Sequence, residues 1–319
     1  MENMEKKMAD NTAKKLPQTK LNKKSNIGLG QIILTTCLVL YTLFCFLPLL
    51  LVVIIAFTDE KTLASNGFSF FPQKWSMNGM NAILKYGNKL FKAYGVTISV
   101  TVLGTALGLI VMALFAYGLS RKNFKMRKFL SIYLLIPMLF SGGQVASYII
   151  FSSVYHLKDT FIILILPICI STMNVIILRT YIQSSIPEEL MESAKIDGAS
   201  EQRVFWQIVF PLMKPAMAAV GFMLATQYWN DWQTALLFIN KKADLTPLQL
   251  LLINIQKSIE FLLTSKDIPS AAKAAMGGTI PNESAIMSTV IVVIGPIIIA
   301  YPFFQKYFVK GLTVGSVKG

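Results

Sequence analysis

The chain has 319 residues, of which 54% are hydrophobic and 14% are charged, and its formal net charge is +14. Soluble domains carry about 25% charged residues, so this composition excludes an ordinary soluble protein and a disordered one. The apolar residues form runs of roughly 20, the length of a helix that crosses a ~30 Å hydrocarbon core, whereas the strands of an outer-membrane barrel alternate apolar and polar residues over about ten positions.

The apolar runs predict an all-α polytopic membrane protein with six transmembrane helices. The spans are expected at residues 32–57, 96–119, 129–154, 161–178, 215–239 and 285–303. They divide the chain into a cytoplasmic N-terminal tail (1–31), a six-span domain (32–303) and a cytoplasmic C-terminal tail (304–319).

The distribution of Lys and Arg predicts the orientation. The segments that face inward when the N-terminus is inside hold 19 of these residues, and the outward segments hold 11. Because basic residues stay on the cytoplasmic side, both termini are predicted there. The net charge is therefore interpreted as a topology signal beside anionic membrane lipid, and no nucleic-acid partner is expected.

The sequence gives no sign of a cofactor or metal site. Cys37, Cys45 and Cys169 lie in apolar runs, which argues against a disulfide framework or a metal site, and His156 is interpreted as a plain loop residue. No G-x-x-x-x-G-K-[ST] run is present, so this chain is expected to bind no ATP by that motif. Asp231 is the only acidic residue placed in a predicted span, which disfavours a carrier with a proton relay.

The predicted cytoplasmic loop, residues 179–214, has the signals of two short helices. Ser185 and Glu188 have capping-box spacing, Gly198 suits the end of a first helix, and Ser200 suits the start of a second. One apolar side of the first helix is expected to contain Leu190, Met191, Ala194 and Ile196. From the residues alone, a compact knob and an amphipathic loop lying flat on the membrane are equally open.

The same loop contains E-S-A at 192–194, G at 198 and I-V-F-P at 208–211. This pattern resembles the E-A-A-x3-G-x9-I-x-L-P loop of binding-protein-dependent ABC importer permeases, with departures at Ser193 and Phe210. The chain end G-L-T-V-G-S-V-K-G is similar to the tail of the maltose-type carbohydrate permeases. The residues before it resemble the branch that handles complex or multiple oligosaccharides.

The resemblance implies the partners of this chain. They are a second homologous permease, two ATPase subunits that use ATP and magnesium, an extracytoplasmic solute-binding protein and an oligosaccharide substrate, assembled in a bacterial cytoplasmic membrane. The loop becomes a coupling helix between spans four and five that docks on an ATPase. By residue match or position, the implied coupling residues are Glu192, Ser193, Ala194, Asp197 and Gly198. The implied contacts of the C-terminal tail are Gly311, Gly315, Lys318 and Gly319.

A polar stretch in the fifth predicted span is the candidate translocation path. Gln227, Asn230, Asp231 and Thr234 have the spacing i, i+3, i+4 and i+7, so they are predicted to share one helix face. Aromatic side chains beside hydrogen-bonding groups suit sugars. The path set is Gln227, Tyr228, Trp229, Asn230, Asp231 and Thr234, with Gln144 from a second polar midpoint in the third span.

Alternatives remain at this stage. Asn230 and Asp231 can instead hydrogen-bond to neighbouring helices and hold the bundle together. An ABC importer for a non-sugar solute is an alternative function, and an ion-coupled secondary carrier is a weaker one. An intramembrane enzyme is the weakest, because no catalytic constellation is seen.

Overall fold

The structure is a computed structural model that describes residues 29–264 and 283–316, and within these ranges it is helical with no β-strand beyond an isolated bridge between Thr58 and Trp75. The helices are α1 Leu29–Ala56, α2 Glu60–Asn66, α3 Asn78–Leu84, α4 Gly87–Ser120, α5 Arg127–Leu139, α6 Gly143–Ile149, α7 Thr172–Ser185, α8 Glu188–Ile196, α9 Glu201–Val204, α10 Phe210–Leu212, α11 Lys214–Asn230, α12 Gln233–Phe238, α13 Leu248–Thr264 and α14 Glu283–Ser316. Two π-helical turns, Ile150–Val154 and Phe205–Val209, extend α6 and α9, and the 3₁₀ turns are Ile162–Leu164 and Ala243–Leu245. The chain divides into two units after Leu50, and the second unit contains the packed core.

The structure contains some of the predicted membrane-spanning helices. By length and composition, α1 and α4 qualify on their own. Two bent pairs, at residues 127–154 with a bend of 118° and at residues 201–230 with a bend of 76°, bring the number to 4 if each counts as one span. The apolar part of α14, Glu283–Ile299, is shorter. A helical membrane protein is therefore confirmed, and the number of six spans stays a prediction.

The predicted fourth span, residues 161–178, is wrong as a single helix. The chain there forms the 3₁₀ turn Ile162–Leu164, then irregular turns, and only from Thr172 the helix α7. Pro167 lacks the N–H that a helix needs. Irregular backbone is tolerated at membrane depth where protein covers it, and Ile163 and Leu164 are buried.

The core is built around α4, which packs against α7 and α11. Two glycines of α4 let other segments of the same chain approach closely. A Cβ at Gly104 would lie 2.5 Å from Cζ of Tyr228, and one at Gly108 would lie 2.6 Å from the carbonyl oxygen of Cys169. Small residues are common where membrane helices approach closely. The consequence is that α4 and α11 are in tight contact beside the candidate path.

The two predicted tails fall mostly at or beyond the edge of the described residues. Helix α14 continues to Ser316, so residues 304–316 extend the last helix rather than forming a separate segment. Gly311 and Gly315 lie in that helix, whereas Lys318 and Gly319 lie outside the described residues, as does most of the N-terminal tail.

Candidate functional site

The first part of the candidate site is the helix α8, beginning with its N-terminus. Pro187 stands at its N-cap, and Ser185 is still the last residue of α7, where its hydroxyl lies 3.3 Å from that of Ser184. The predicted capping box is therefore wrong, because Ser185 belongs to the preceding helix. Glu188 instead accepts a hydrogen bond of 2.6 Å from Lys122. This bond lowers the pKa of Glu188 and raises that of Lys122.

The end of α8 is a glycine corner, defined here as residues 197–200. Gly198 has φ of +83°, and its N–H donates to the carbonyl of Lys195 at 3.0 Å while the N–H of Ala199 donates to that of Ala194 at 2.9 Å. These two bonds are the Schellman pattern that ends helices at a left-handed glycine. The hydroxyl of Ser200 then accepts from the N–H of Arg203 at 3.3 Å. The predicted helix, glycine turn and second helix are confirmed.

Helix α8 has one buried side and one exposed side. Met191 is buried and Ala194 packs against the core. Leu190 and Ile196, which were expected on the same apolar side, are exposed, and Ile196 is 86% exposed. The exposed surface also carries Glu192, Ser193, Asp197 and Gly198. Exposed carboxylates can form strong hydrogen bonds with basic groups of another protein.

A polar junction joins this loop to the long helix α4. The carboxylate of Glu201, the first residue of α9, accepts hydrogen bonds from the hydroxyl of Tyr117 and from the ammonium group of Lys195. The Tyr117 ring packs on that of Phe205 with 5.3 Å between centroids. Three helices therefore meet at one carboxylate, and sequence reasoning missed Glu201 and Tyr117 because the contact spans 84 residues.

The second part of the candidate site is an aspartate corner between α11 and α12, defined here as residues 230–234. Asp231 has extended backbone angles and ends α11. Its Oδ1 accepts from the N–H groups of Gln233 at 3.2 Å and Thr234 at 3.1 Å, so it caps α12. The predicted single helix face is therefore wrong: an Asp side chain that bonds to nearby backbone N–H groups competes with continuous helix.

Four of the path residues, Gln227, Asn230, Asp231 and Thr234, nevertheless line one cleft of about 640 Å³. Its walls are Ile168, Phe222, Met223, Thr226, Gln227, Asn230, Asp231, Gln233 and Thr234. Asn230 donates to the carbonyl of Thr226 at 3.0 Å and accepts from the amide of Gln249 at 3.1 Å. Within the described part of the chain, the side-chain amides of Gln227 and Gln233 have no hydrogen-bond partner, so they are available to a bound molecule.

Three other path candidates lie elsewhere. The Tyr228 hydroxyl donates to the carbonyl of Ile165 at 2.7 Å, and Trp229 Nε1 donates to that of Val293 at 3.2 Å. Both side chains are buried and bond to distant segments of the chain. The alternative role in holding the bundle was raised for Asn230 and Asp231: Asn230 does bond to Gln249 of α13, whereas the Oδ1 of Asp231 bonds to the start of α12. Gln144 is exposed in the first turn of α6 and is not in the wall of the cleft.

A loop contact lies beyond the end of α12. Asp159, at φ of +55°, accepts backbone hydrogen bonds from Asn240 at 2.7 Å, Lys241 at 2.8 Å and Lys242 at 3.3 Å. These N–H donors lower the pKa of Asp159, that of Lys241 first. Asp231 thus caps the start of α12, and Asp159 binds the segment that follows its end.

Among the described residues, no group of three or more His, Cys, Asp or Glu is placed to hold a metal ion.

Comparison with known proteins identifies the protein family of this chain. Residues 104–314 match the family described as "Binding-protein-dependent transport system inner membrane component", and the chain belongs to this family. The match contains α8 and both corners. The resemblance seen in the loop is thereby confirmed, and the protein is a membrane component of a transport system.

Individual relatives are similar along most of the chain. The polygalacturonan/rhamnogalacturonan transport system permease protein YtcP of Bacillus subtilis (strain 168) is 35% identical over 88% of this chain and 96% of its own. Protein LplC of the same organism is 38% identical over 86% and 89%. A solved chain of a bacterial ABC transporter involved in the import of the acidic polysaccharide alginate has a TM-score of 0.74, covers 87% of this chain and 95% of its own, and at 24% identity supports the fold alone.

Proposed function

We propose that this chain is a permease subunit of an ATP-binding-cassette importer that carries an oligosaccharide across the bacterial cytoplasmic membrane. The observation that carries the proposal is the exposed side of α8 with its glycine corner, in a chain of this family. Names of relatives support the substrate class: besides YtcP, they include the arabinooligosaccharides transport system permease protein AraQ of Bacillus subtilis (strain 168), 28% identical over 78% of this chain.

The energy comes from two partner ATPase subunits that use ATP and magnesium. Glu192, Ser193, Ala194, Asp197 and Gly198 form the coupling set that docks on one of them, and the tail residues Gly311, Gly315, Lys318 and Gly319 reach between them. A second permease of the same fold completes the pathway, and a solute-binding protein delivers substrate from outside. The topology is six spans with both termini in the cytoplasm.

The cleft supports a role in sugar passage. Gln227 and Gln233 offer amide groups, and Asp231 presents a carboxylate that also caps α12. Sugar hydroxyls need paired donors and acceptors of this kind, since polar groups that bind without partners lose affinity. An alternating-access movement exposes this wall to each side of the membrane in turn.

The test is uptake by the full complex reconstituted in vesicles with its neighbouring-gene partners. Labelled pectin-derived and arabino-oligosaccharides are expected to accumulate only with ATP inside, with the binding protein outside, and regardless of an uncoupler. Uptake that survives ATP depletion but collapses with an uncoupler would show an ion-coupled carrier. ATP-dependent uptake of a peptide or phosphate ester, but of no sugar, would reject the substrate class.

A further inference from the structure

We infer that Glu201 is a positioning residue that transmits the displacement of α8 to the long helix α4. The inference rests on the proposed function, because it assumes that a partner moves α8. It assigns a role to a junction outside the coupling set, where one carboxylate joins the last turn of α8, the first turn of α9 and the last turn of α4.

The two carboxylate oxygens of Glu201 accept hydrogen bonds from two different helices. Lys195 donates from the α8 side to Oε1 of Glu201, and Tyr117 donates from the α4 side to Oε2. The two oxygens of one rigid carboxylate therefore hold two different helices. Hydrogen bonds to an ionised group are stronger than neutral ones, and partial burial strengthens the bond from Tyr117 further.

Aromatic packing keeps the junction rigid. The ring of Tyr117 is 8% exposed and contacts Phe205, which is 2% exposed. Phe205 in turn contacts Trp206 and Phe210, with centroids 4.9 and 5.8 Å away. A shift of Glu201 therefore cannot be absorbed by a loose side chain at Tyr117, because well-packed interiors transmit displacement.

Helix α4 leads from the junction to the cleft. Gly104 lies 13 residues before Tyr117, which corresponds to ~20 Å along a helix, and it is in close contact with the ring of Tyr228. Tyr228 is three residues before Asp231, whose carboxylate forms the aspartate corner. A movement of α4 that starts at Tyr117 thus reaches the wall of the cleft through packed contacts.

The chain offers a matched control. Glu188 and Lys122 also link α8 to the segment after α4, with side chains that are 35% and 74% exposed. Glu201 and Lys195 are themselves 54% and 36% exposed, so the junction differs from this pair in the second bond of Glu201, which it accepts from the hydroxyl of the buried Tyr117. Exposed ion pairs contribute little, because water competes and two side chains lose freedom. Glu188→Gln removes the same charge from the same loop as Glu201→Gln, and leaves the hydrogen bond between Tyr117 and Glu201 intact.

The experiment measures sugar taken up per ATP hydrolysed by the reconstituted complex, with basal ATP hydrolysis and subunit stoichiometry as controls. For Glu201→Gln we expect uptake per ATP to fall about tenfold, within the range of a coupling free energy, while basal hydrolysis and assembly are kept. Tyr117→Phe retains the ring and loses only the hydroxyl, so a smaller fall is expected. The double variant should be no worse than Glu201→Gln alone, since the two residues act through one contact. Glu188→Gln should resemble wild type.

The outcomes are distinct. A wild-type complex that imports no sugar overturns the proposed function and this inference with it. If wild type is active, then unchanged uptake per ATP in Glu201→Gln overturns the inference alone, as does an equal fall in Glu188→Gln. If Glu201→Gln does not assemble, Tyr117→Phe decides: a lower uptake per ATP supports the junction, and an unchanged value overturns it.

Discussion

The glycine corner and the aspartate corner have the same architecture, a helix that ends and a second helix that starts within a few residues, but different forces hold them. At the glycine corner, backbone hydrogen bonds from Gly198 and Ala199 close α8. At the aspartate corner, one side-chain oxygen of Asp231 holds the start of α12. The first corner is a backbone conformation, and the second is a side-chain bond that a ligand in the cleft can compete for.

This difference suits the two proposed tasks. A corner that transmits force should keep its angle, and a left-handed glycine closed by two backbone bonds does so without help from a neighbouring element. A corner in the wall of a pathway should respond to what enters it. Asp231 lines the cleft, so a hydroxyl of the proposed substrate can compete for its bonds to α12.

The largest expected effect is at the glycine corner. Gly198→Val should reduce uptake about 5- to 30-fold, because a β-branched residue at positive φ is strained by about 1–2 kcal/mol. Space does not limit the site, since nothing lies within 4 Å of a Cβ placed there. Gly198→Asn should therefore retain most uptake, because Asn tolerates this backbone region. Uptake and membrane level are measured together, and normal uptake by the valine variant would contradict a conformational role.

A smaller effect is expected at the aspartate corner. Asp231→Ala removes the cap of α12 and should cost about 1 kcal/mol, seen as a lower Tm of the purified complex. Asp231→Asn retains an acceptor oxygen, so its Tm should stay close to wild type. If the asparagine variant has normal Tm but poor uptake, the carboxylate acts in the pathway as well as in the cap. A Tm as low as that of the alanine variant would show that charge, rather than the acceptor oxygen, holds the corner.

The smallest expected effect is a dependence on pH beside the glycine corner. The pKa of Glu188 is lowered by Lys122, so the ion pair stabilises the folded chain above the unfolded value of about 4.3 and is lost as pH falls through the lower folded value. The pKa of Lys122 is raised, so the same pair persists below about 10.4 and is lost as pH rises through the folded value. The small Tm difference between wild type and Glu188→Gln should therefore be constant from about pH 5.5 to 9 and vanish in acid. A difference that changes near neutral pH would contradict this assignment.

Much of the fold follows from local signals. The apolar run of α1 and that of α4 were predicted as spans, and the start and end signals at Gly198 and Ser200 were read correctly, because each depends on residues within a few positions. The prediction of a helix at 161–178 was wrong, because hydrophobicity alone does not distinguish a helix from irregular chain covered by protein. Pro167 also interrupts a helix there.

The lining of the cleft was predicted in part. Gln227, Asn230, Asp231 and Thr234 were identified as one set, and they do line one cleft, but the assumed continuous helix is absent at Asp231. The side chains of the neighbouring residues Tyr228 and Trp229 are instead buried inside the helix bundle. Sequence spacing could not separate them, because the partners of their polar atoms, Ile165 and Val293, come from distant segments.

The sequence by itself determined a helical membrane protein of the binding-protein-dependent transport family and its glycine corner, because composition, glycine conformation and short motifs act over a few residues. Only the tertiary structure decided the junction at Glu201, the break at Asp231 and the inward turn of Tyr228. Each of these depends on which of several possible hydrogen-bond partners lies within about 3 Å, and that is set by how helices far apart in the chain pack together.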